Sequence, residues 1–307
     1  MEKRRILITG ANGLLGQKLV NLLKRRDAIH LFATSRGPNR NPNKNGCEYH
    51  SIDVSDRQAV LDYFYRLRPT EVIHTAAMTN VDACELAPEA CHLHNVTAVQ
   101  HLVDACREFD TRLIHLSTDF IFDGNEGPYA EDAVPSPLSV YGHSKWEAES
   151  LIQSSGVRHA IVRTVLLYGL IPDASRSNIV LWARQSLYDG KPIRVVHDQV
   201  RSPTLVEDLA DGVAAVVLRD KSGIFHISGG EIMSIYELAV RVAQFWKLDT
   251  NLIESIDSSS LNQPARRPPK TGFIILKAQT ELGYKPHTLE QGLELVDRQL
   301  KSQAIKS

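Results

Sequence analysis

The stretch Arg5-Ile-Leu-Ile-Thr-Gly10-Ala-Asn-Gly13-Leu-Leu-Gly16-Gln-Lys-Leu-Val-Asn-Leu-Leu23 stands near the start of a 307-residue chain. Ile6-Leu7-Ile8 is a short apolar run of the kind buried on both faces in a parallel sheet. After Gly13 the pattern changes, and Leu15, Leu19, Leu22 and Leu23 recur at helical spacing. Gly10, Gly13 and Gly16 therefore fall on a strand-to-helix turn. Glycine there lets the backbone approach a pyrophosphate and lets the helix pack closely on the strand. The helix N-terminus adds unpaired N–H groups and partial positive charge. Gly10, Asn12, Gly13, Leu14, Leu15 and Gly16 are the expected cradle for a dinucleotide phosphate.

Further apolar runs recur at Ile6–Thr9, His30–Thr34, Glu48–Asp53, Glu71–Thr75, Arg112–Ser117 and Ala160–Thr164, with helix-like segments such as Arg57–Leu67 and Pro88–Phe109 between them. This alternation predicts βαβ units with right-handed crossovers. The expected fold is α/β, a Rossmann-type doubly wound parallel sheet with a smaller C-terminal α/β substrate region. Residues 1–165 are assigned to the dinucleotide-binding domain. Residues 166–307 are assigned to the substrate region, partly interleaved with the first. The 222–230 segment reads as turn punctuation rather than periodic structure.

The second strand ends in Arg36, with no acidic residue at its tip. An acidic group there would hold the ribose 2′-OH of NAD, whereas arginine accepts the 2′-phosphate of NADP. The expectation is NADPH, with NADH as the alternative. Asp53 and Val54 follow the third strand, where Asp53 is placed to hold the adenine amino group. An N-cap by Ser55 or Asp56 is the competing reading of the turn that follows. Ala76, Ala77 and Thr79 follow the fourth strand, and the small alanines let the backbone lie against a cofactor.

Tyr141-Gly-His-Ser-Lys145 sets a phenol and an ammonium four apart on a predicted helix, hence on one face. A nearby ammonium favours phenolate, so Lys145 is expected to lower the Tyr141 pKa toward a range useful for proton transfer. Ser117-Thr118-Asp119, at the end of the fifth strand, presents hydroxyls to the same region. By itself a Tyr-x-x-x-Lys pair is more often two surface residues, and the glycine loop and the Ser-Thr-Asp segment are what raise its weight.

Composition excludes several classes. The formal net charge of −1 makes no electrostatic case for nucleic acid or an anionic membrane, and no apolar run reaches the length of a membrane span. The four cysteines lack C-x-x-C or zinc spacing, and His92 and His94, two apart, do not share a helix face. The reading is a cytoplasmic protein with reduced thiols and no metal.

Together, Ala76-Ala-Met-Thr-Asn-Val-Asp82, Ser117-Thr-Asp-Phe-Ile-Phe-Asp-Gly124, Pro137-Leu-Ser-Val-Tyr-Gly-His-Ser-Lys145, Arg163-Thr164 and Ala265-Arg-Arg-Pro268 give a chain that resembles the dTDP-4-dehydrorhamnose reductase family, within the extended short-chain dehydrogenase/reductase superfamily. The likeness spans nearly the whole chain in order. It implies NAD(P)H-dependent reduction of a 4-keto-6-deoxy sugar on dTDP. Tyr141 would be the proton donor, Lys145 would hold the nicotinamide ribose, and Thr118 would hydrogen-bond the developing alkoxide. It further implies Asp119 orienting the sugar, Asn95 supporting the hydrogen-bond network beside the cofactor, and Arg201 and the Arg266-Arg267 pair as clamps on the nucleotide diphosphate. A surface or interdomain salt bridge is the competing reading for these arginines. Leu166 takes the place where members often carry a tryptophan against the sugar ring. Lys18 replaces an acidic residue linked in some members to a metal-bridged dimer, so no metal is expected, while a homodimer stays open. Two alternatives stand beside this reading. One is another activity of the superfamily, such as an NDP-sugar epimerase. The other is a non-catalytic regulatory role, because Gly223-Ile-Phe-His-Ile-Ser-Gly229 and Leu166 also resemble the methionine adenosyltransferase beta subunit.

Overall fold

A computed structural model describes residues 3–171 and 178–304. In chain order it contains β1 (Arg4–Thr9), α1 (Leu14–Leu23), β2 (Ile29–Ser35), β3 (Glu48–Ser51), α2 (Arg57–Leu67), β4 (Glu71–His74), α3 (Val81–Leu86), α4 (Pro88–His92), α5 (Ala98–Glu108), β5 (Arg112–Thr118), α6 (Val140–Ser154) and β6 (His159–Thr164). There follow β7 (Leu167–Tyr168), α7 (Ile179–Tyr188), β8 (Ile193–Val196), β9 (Val200–Arg201), β10 (Thr204–Leu205), α8 (Val206–Leu218), β11 (Gly223–His226), β12 (Met233–Ser234), α9 (Ile235–Phe245), β13 (Ile253–Ile256), α10 (Leu276–Leu282) and α11 (Leu289–Ala304).

Seven parallel strands form one sheet in the order β11-β6-β5-β4-β1-β2-β3. Side chains alternate across it. Ile6, Ile8, Ile73, Ile114 and Val162 pack against α1, α8 and α10, while Leu7, Val72, Leu113 and Ile161 pack against α2, α5 and α6. Both faces are thus covered, which explains why the strands read as continuous apolar runs. Strand order reverses on either side of β1, so the carboxyl ends of β1 and β4 open a crevice at the switch point. A third apolar cluster joins α7, α9 and α11 with the short strands β8 and β13.

Two expectations change. The 222–230 segment is not punctuation only, because Gly223–His226 pairs with Ala160–Arg163 as the seventh strand of the main sheet. Its four residues, with Ile227 after them, sit between Lys-Ser and Ser-Gly-Gly, too short a run to show a period. Pro88–Phe109 is not a single regular helix, because a π-helical turn at Leu93–Thr97 separates α4 from α5.

Helix α6 is fastened to the sheet by one buried ion pair. Arg163 Nη2 donates to Glu149 Oε2 at 2.7 Å, and Arg163 Nε reaches both carboxylate oxygens at 3.1 and 3.2 Å. Neither side chain is more than 2 % exposed. Removing one partner strands the other charge in the core. Arg163→Met should therefore cost about 3–5 kcal/mol in urea unfolding, and a loss below about 1 kcal/mol would show that the pair carries little of the helix's anchoring.

Candidate active site

Gly10 directly follows the strand β1, with φ +69°. A Cβ there would lie 2.6 Å from the Ala76 amide nitrogen, and one on Gly16 would lie 2.3 Å from the Gly10 carbonyl oxygen. Only glycine lets the β1–α1 turn, the β4 loop and helix α1 come this close. Gly13 is the N-cap of α1 and makes no side-chain cap, so the first-turn N–H groups remain available to an anion.

Two cavities meet at Gly13, Thr75 and Ala77. The one of about 570 Å³ is lined by Gly10, Asn12, Arg36, Asp53, Val54 and Ala76, among others. The one of about 370 Å³ is lined by Leu14, Leu15, Gly16, Thr79, Thr118, Asp119, Tyr141, Lys145, Leu166 and Arg201, among others. Residues distant in sequence, from the ends of β1 to β6 and the start of α6, thus face one continuous crevice.

In the larger cavity, Asn12 ties the glycine loop to the loop after β2. It donates to Pro38 O at 2.9 Å and accepts from Arg40 N at 2.9 Å. Arg36 is mostly exposed, 3.9 Å from Asp53 Oδ2 and 3.5 Å from His94 Nε2. Asp53 accepts from the Ser55 amide and hydroxyl, whereas Asp56 is the cap of α2. The sequence reading missed Arg40 and His94, which line the same cavity. A second basic residue four positions after Arg36 was the available signal.

In the smaller cavity the Tyr141 phenol is buried beside Thr118 and meets Phe120 edge-on at 5.7 Å. The expected tuning is reversed. Burial pushes the phenol pKa up, Asp119 adds to the rise, and the Thr118 hydrogen bond works against it. Lys145 is not among the groups that act on the phenol, because its ammonium is turned under the helix. Its Nζ donates to Leu116 O at 2.7 Å and lies 3.1 Å from His115 Nε2. Burial lowers Lys145 to about 8, opposed by Glu149 and then Cys91. The arrangement holds Tyr141 as a neutral acid, which suits proton donation.

Four further residues differ from expectation. Asp119 has little oxygen left to orient a sugar. It accepts from Thr118 at 3.1 Å and from Thr271, and lies 3.8 Å from Arg201 Nε. Arg201 faces the cavity, but its terminal nitrogens donate to the carbonyls of Val200, Pro268 and Pro269, so it braces this wall instead of offering a free clamp. Arg266 is exposed and does not line the cavity, whereas Arg267 grips Asp82 through both carboxylate oxygens at 3.0 and 2.7 Å. Asn95, 1 % exposed, does not face either cavity. From the π-helical turn it accepts from Met78 N at 2.8 Å and donates to Met78 O and Ser144 Oγ at 3.0 Å each, holding the β4 loop against α6. Leu166 lines the cavity with φ +35°, a conformation disfavoured for a residue with a Cβ.

These residues fit a nicotinamide dinucleotide. The glycine cradle has no room for a Cβ, and the buried hydroxyls of Thr34, Ser117 and Thr164, which line the crevice, lack any partner within the protein. Among the described residues no cluster of three or more metal-ligating side chains occurs, and no helix is long and apolar enough to cross a membrane. Lys18 pairs with Glu207 at 2.6 Å.

Comparison with known proteins follows the same direction. The family described as RmlD substrate binding domain matches residues 4–301. The probable low-salt glycan biosynthesis reductase Agl14 of Haloferax volcanii is 30% identical, over 94% of this chain and 96% of its own. The methionine adenosyltransferase 2 subunit beta of Rattus norvegicus is also 30% identical, over 91% of this chain and 83% of its own. A dTDP-4-dehydrorhamnose reductase of Bacillus anthracis, solved in complex with NADP, superposes with a TM-score of 0.84 at 25% identity, covering 97% of this chain and all 100% of that one.

The buried lysine makes a thermodynamic prediction. Its pKa falls from 10.5 in the open chain to about 8 in the fold. Between those values the unfolded chain binds more protons than the folded one, so this group adds stability as pH rises. Wild-type stability minus that of Lys145→Met should climb by on the order of 3 kcal/mol from pH 8 to 10.5 in denaturant titrations. A flat difference would show that Lys145 keeps an ordinary pKa.

Proposed function

The chain belongs to the RmlD substrate binding domain family, and from that premise we propose that it reduces the 4-keto group of a nucleotide-linked 6-deoxy sugar with NADPH, dTDP-4-dehydrorhamnose to dTDP-L-rhamnose being the assigned reaction. The observation that carries this reading is the meeting of Thr118, Tyr141 and Lys145 in a crevice continuous with the glycine cradle. Bound in that crevice, a reduced nicotinamide would supply a hydride. The cradle from Gly10 to Gly16 would hold the pyrophosphate, Arg36 the 2′-phosphate, and Lys145 the nicotinamide ribose.

Tyr141 then gives its proton to the carbonyl oxygen. A phenol kept protonated by burial is ready for this step, and losing the proton where water is excluded needs charge stabilisation nearby. Thr118 stands beside the phenol, and its one hydroxyl proton, donated to Asp119 in this structure, would turn to the oxygen on which charge appears. Asp119, fixed by Thr271 and Arg201, orients Thr118 and leaves the sugar to other groups. Leu166 gives the sugar an aliphatic wall where an aromatic one would stack.

A regulatory role is the second reading, favoured by the 30% identity to the methionine adenosyltransferase 2 subunit beta. NADPH oxidation by purified protein, with dTDP-4-dehydrorhamnose generated from dTDP-glucose, separates the two. Turnover is expected. Measurable NADPH binding with no turnover of this or other 4-keto nucleotide sugars would favour the regulatory role. Tyr141→Phe should lower kcat by roughly 10²–10⁴-fold with cofactor affinity nearly intact; wild-type turnover in that variant would remove Tyr141 from the mechanism. Arg36→Ala should raise the Kd for NADPH more than that for NADH, and equal losses would mean that Arg36 does not read the 2′-phosphate.

A further inference from the structure

Beneath the active-site crevice a polar row crosses the middle of the sheet. Thr9, His74 and His115 are register partners on β1, β4 and β5, and none is more than 1 % exposed. Thr9 Oγ1 lies 2.7 Å from His74 Nδ1, and the two imidazoles stack with centroids 5.4 Å apart. Beyond His115 the row ends on Lys145 Nζ, at 3.1 Å from His115 Nε2. Two ring nitrogens, His74 Nε2 and His115 Nδ1, have no partner within the protein. Burying such groups is costly, and an apolar pair would pack the same space without that cost.

We infer that His115 is the positioning residue of Lys145, a neutral imidazole whose Nε2 accepts a proton of the ammonium and holds Nζ against β5. The inference rests on the reductase reading for its role in turnover and on the geometry alone for its role in holding the lysine. An ammonium has three protons. Leu116 O takes one and His115 the second, which leaves the third for the crevice. As acceptor at Nε2, His115 must carry its own proton on Nδ1, the tautomer in which the unpartnered nitrogen is a donor. Burial and the neighbouring Lys145 keep both histidines uncharged, well below their ordinary range, so no second cation competes at this point. The groups that face Lys145 are Glu149 on its own helix, Cys91 on α4, His115 on β5 and His74 on β4 behind it. Of these, His115 is the one whose hydrogen bond to the charged form can be removed without removing a charge.

The test is NMR titration of ¹³C,¹⁵N-lysine-labelled protein without ligand, with the Lys145 signal assigned by its loss in Lys145→Arg. In His115→Leu the midpoint should fall by about one unit or more, since the ammonium loses an acceptor. In His115→Gln, whose side-chain oxygen can take the place of Nε2, it should stay within a few tenths of a unit, about the wild-type value. An unchanged midpoint in His115→Leu, or equal shifts in both variants, would overturn the inference. If the leucine variant does not fold, His115→Asn, one bond shorter, replaces it; a lowered midpoint in asparagine but not glutamine supports the assignment, and equal midpoints overturn it. The titration needs no substrate, so it reads the inference even if the protein turns over no sugar. With turnover, the alkaline limb of kcat should move to lower pH with the midpoint while KM for the sugar holds.

Discussion

Helix α6 carries both Tyr141 and Lys145, and the buried pair of Glu149 with Arg163 fixes where that helix lies. The guanidinium sits on the strand that forms the far wall of the crevice, and it also donates to the Glu131 carbonyl and touches His226 on β11. One arginine therefore connects the reactive helix, the edge strand β11 and the loop that leads into α6. A neutral side chain could fill the space, but it could not set the rotation of α6 about its own axis. That rotation decides whether the phenol faces the crevice or the core. Glu149 has a second effect, because its negative charge lies one turn from Lys145 and opposes the loss of the ammonium's proton.

Electrostatics in the crevice follows from burial more than from pairing. Tyr141, Lys145, Asp119, His74 and His115 are all pushed toward their neutral forms by loss of water. A site built this way starts with little net charge. Each charge that develops during a reaction is then met by dipoles already in place, the hydroxyls of Thr118 and Tyr141 among them. Asp119 and Arg201, which from sequence look like substrate contacts, instead hold each other and the wall at 268–271.

The sheet was legible because each inner strand is apolar on both faces and each loop after it carries small or polar residues. The glycine turn was legible because spacing and context agree. The seventh strand was not, since four residues between two turns carry no period. In the site, the convergence of Thr118, Tyr141 and Lys145 could be read from order and spacing. What each group does once there could not. Helical spacing places Lys145 on the face of Tyr141, but a flexible four-carbon stem lets its charge point elsewhere, and a carbonyl and an imidazole on β5 capture it. The histidines of β4 and β5 lie inside apolar runs, where a one-dimensional reading takes them for core. The same holds for Arg201, whose partners lie 67 and 68 positions away.

The π-helical turn at Leu93–Thr97 has a consequence for chain length. Each residue advances a helix by about 100°. The wide turn lets Asn95 point at Met78 and Ser144 while Val99, Leu102, Val103 and Cys106 of α5 still face the sheet. These two demands are out of phase on a regular helix, and the extra residue reconciles them. Taking one residue out, or putting one in, between Cys91 and Ala98 would turn one half against the other and lose either the amide or the apolar stripe. Between Cys91 and Ala98 only His92 and Leu93 are exposed, yet even there the number of positions is fixed. The segment is constrained as a count, which no comparison of residue identities would register.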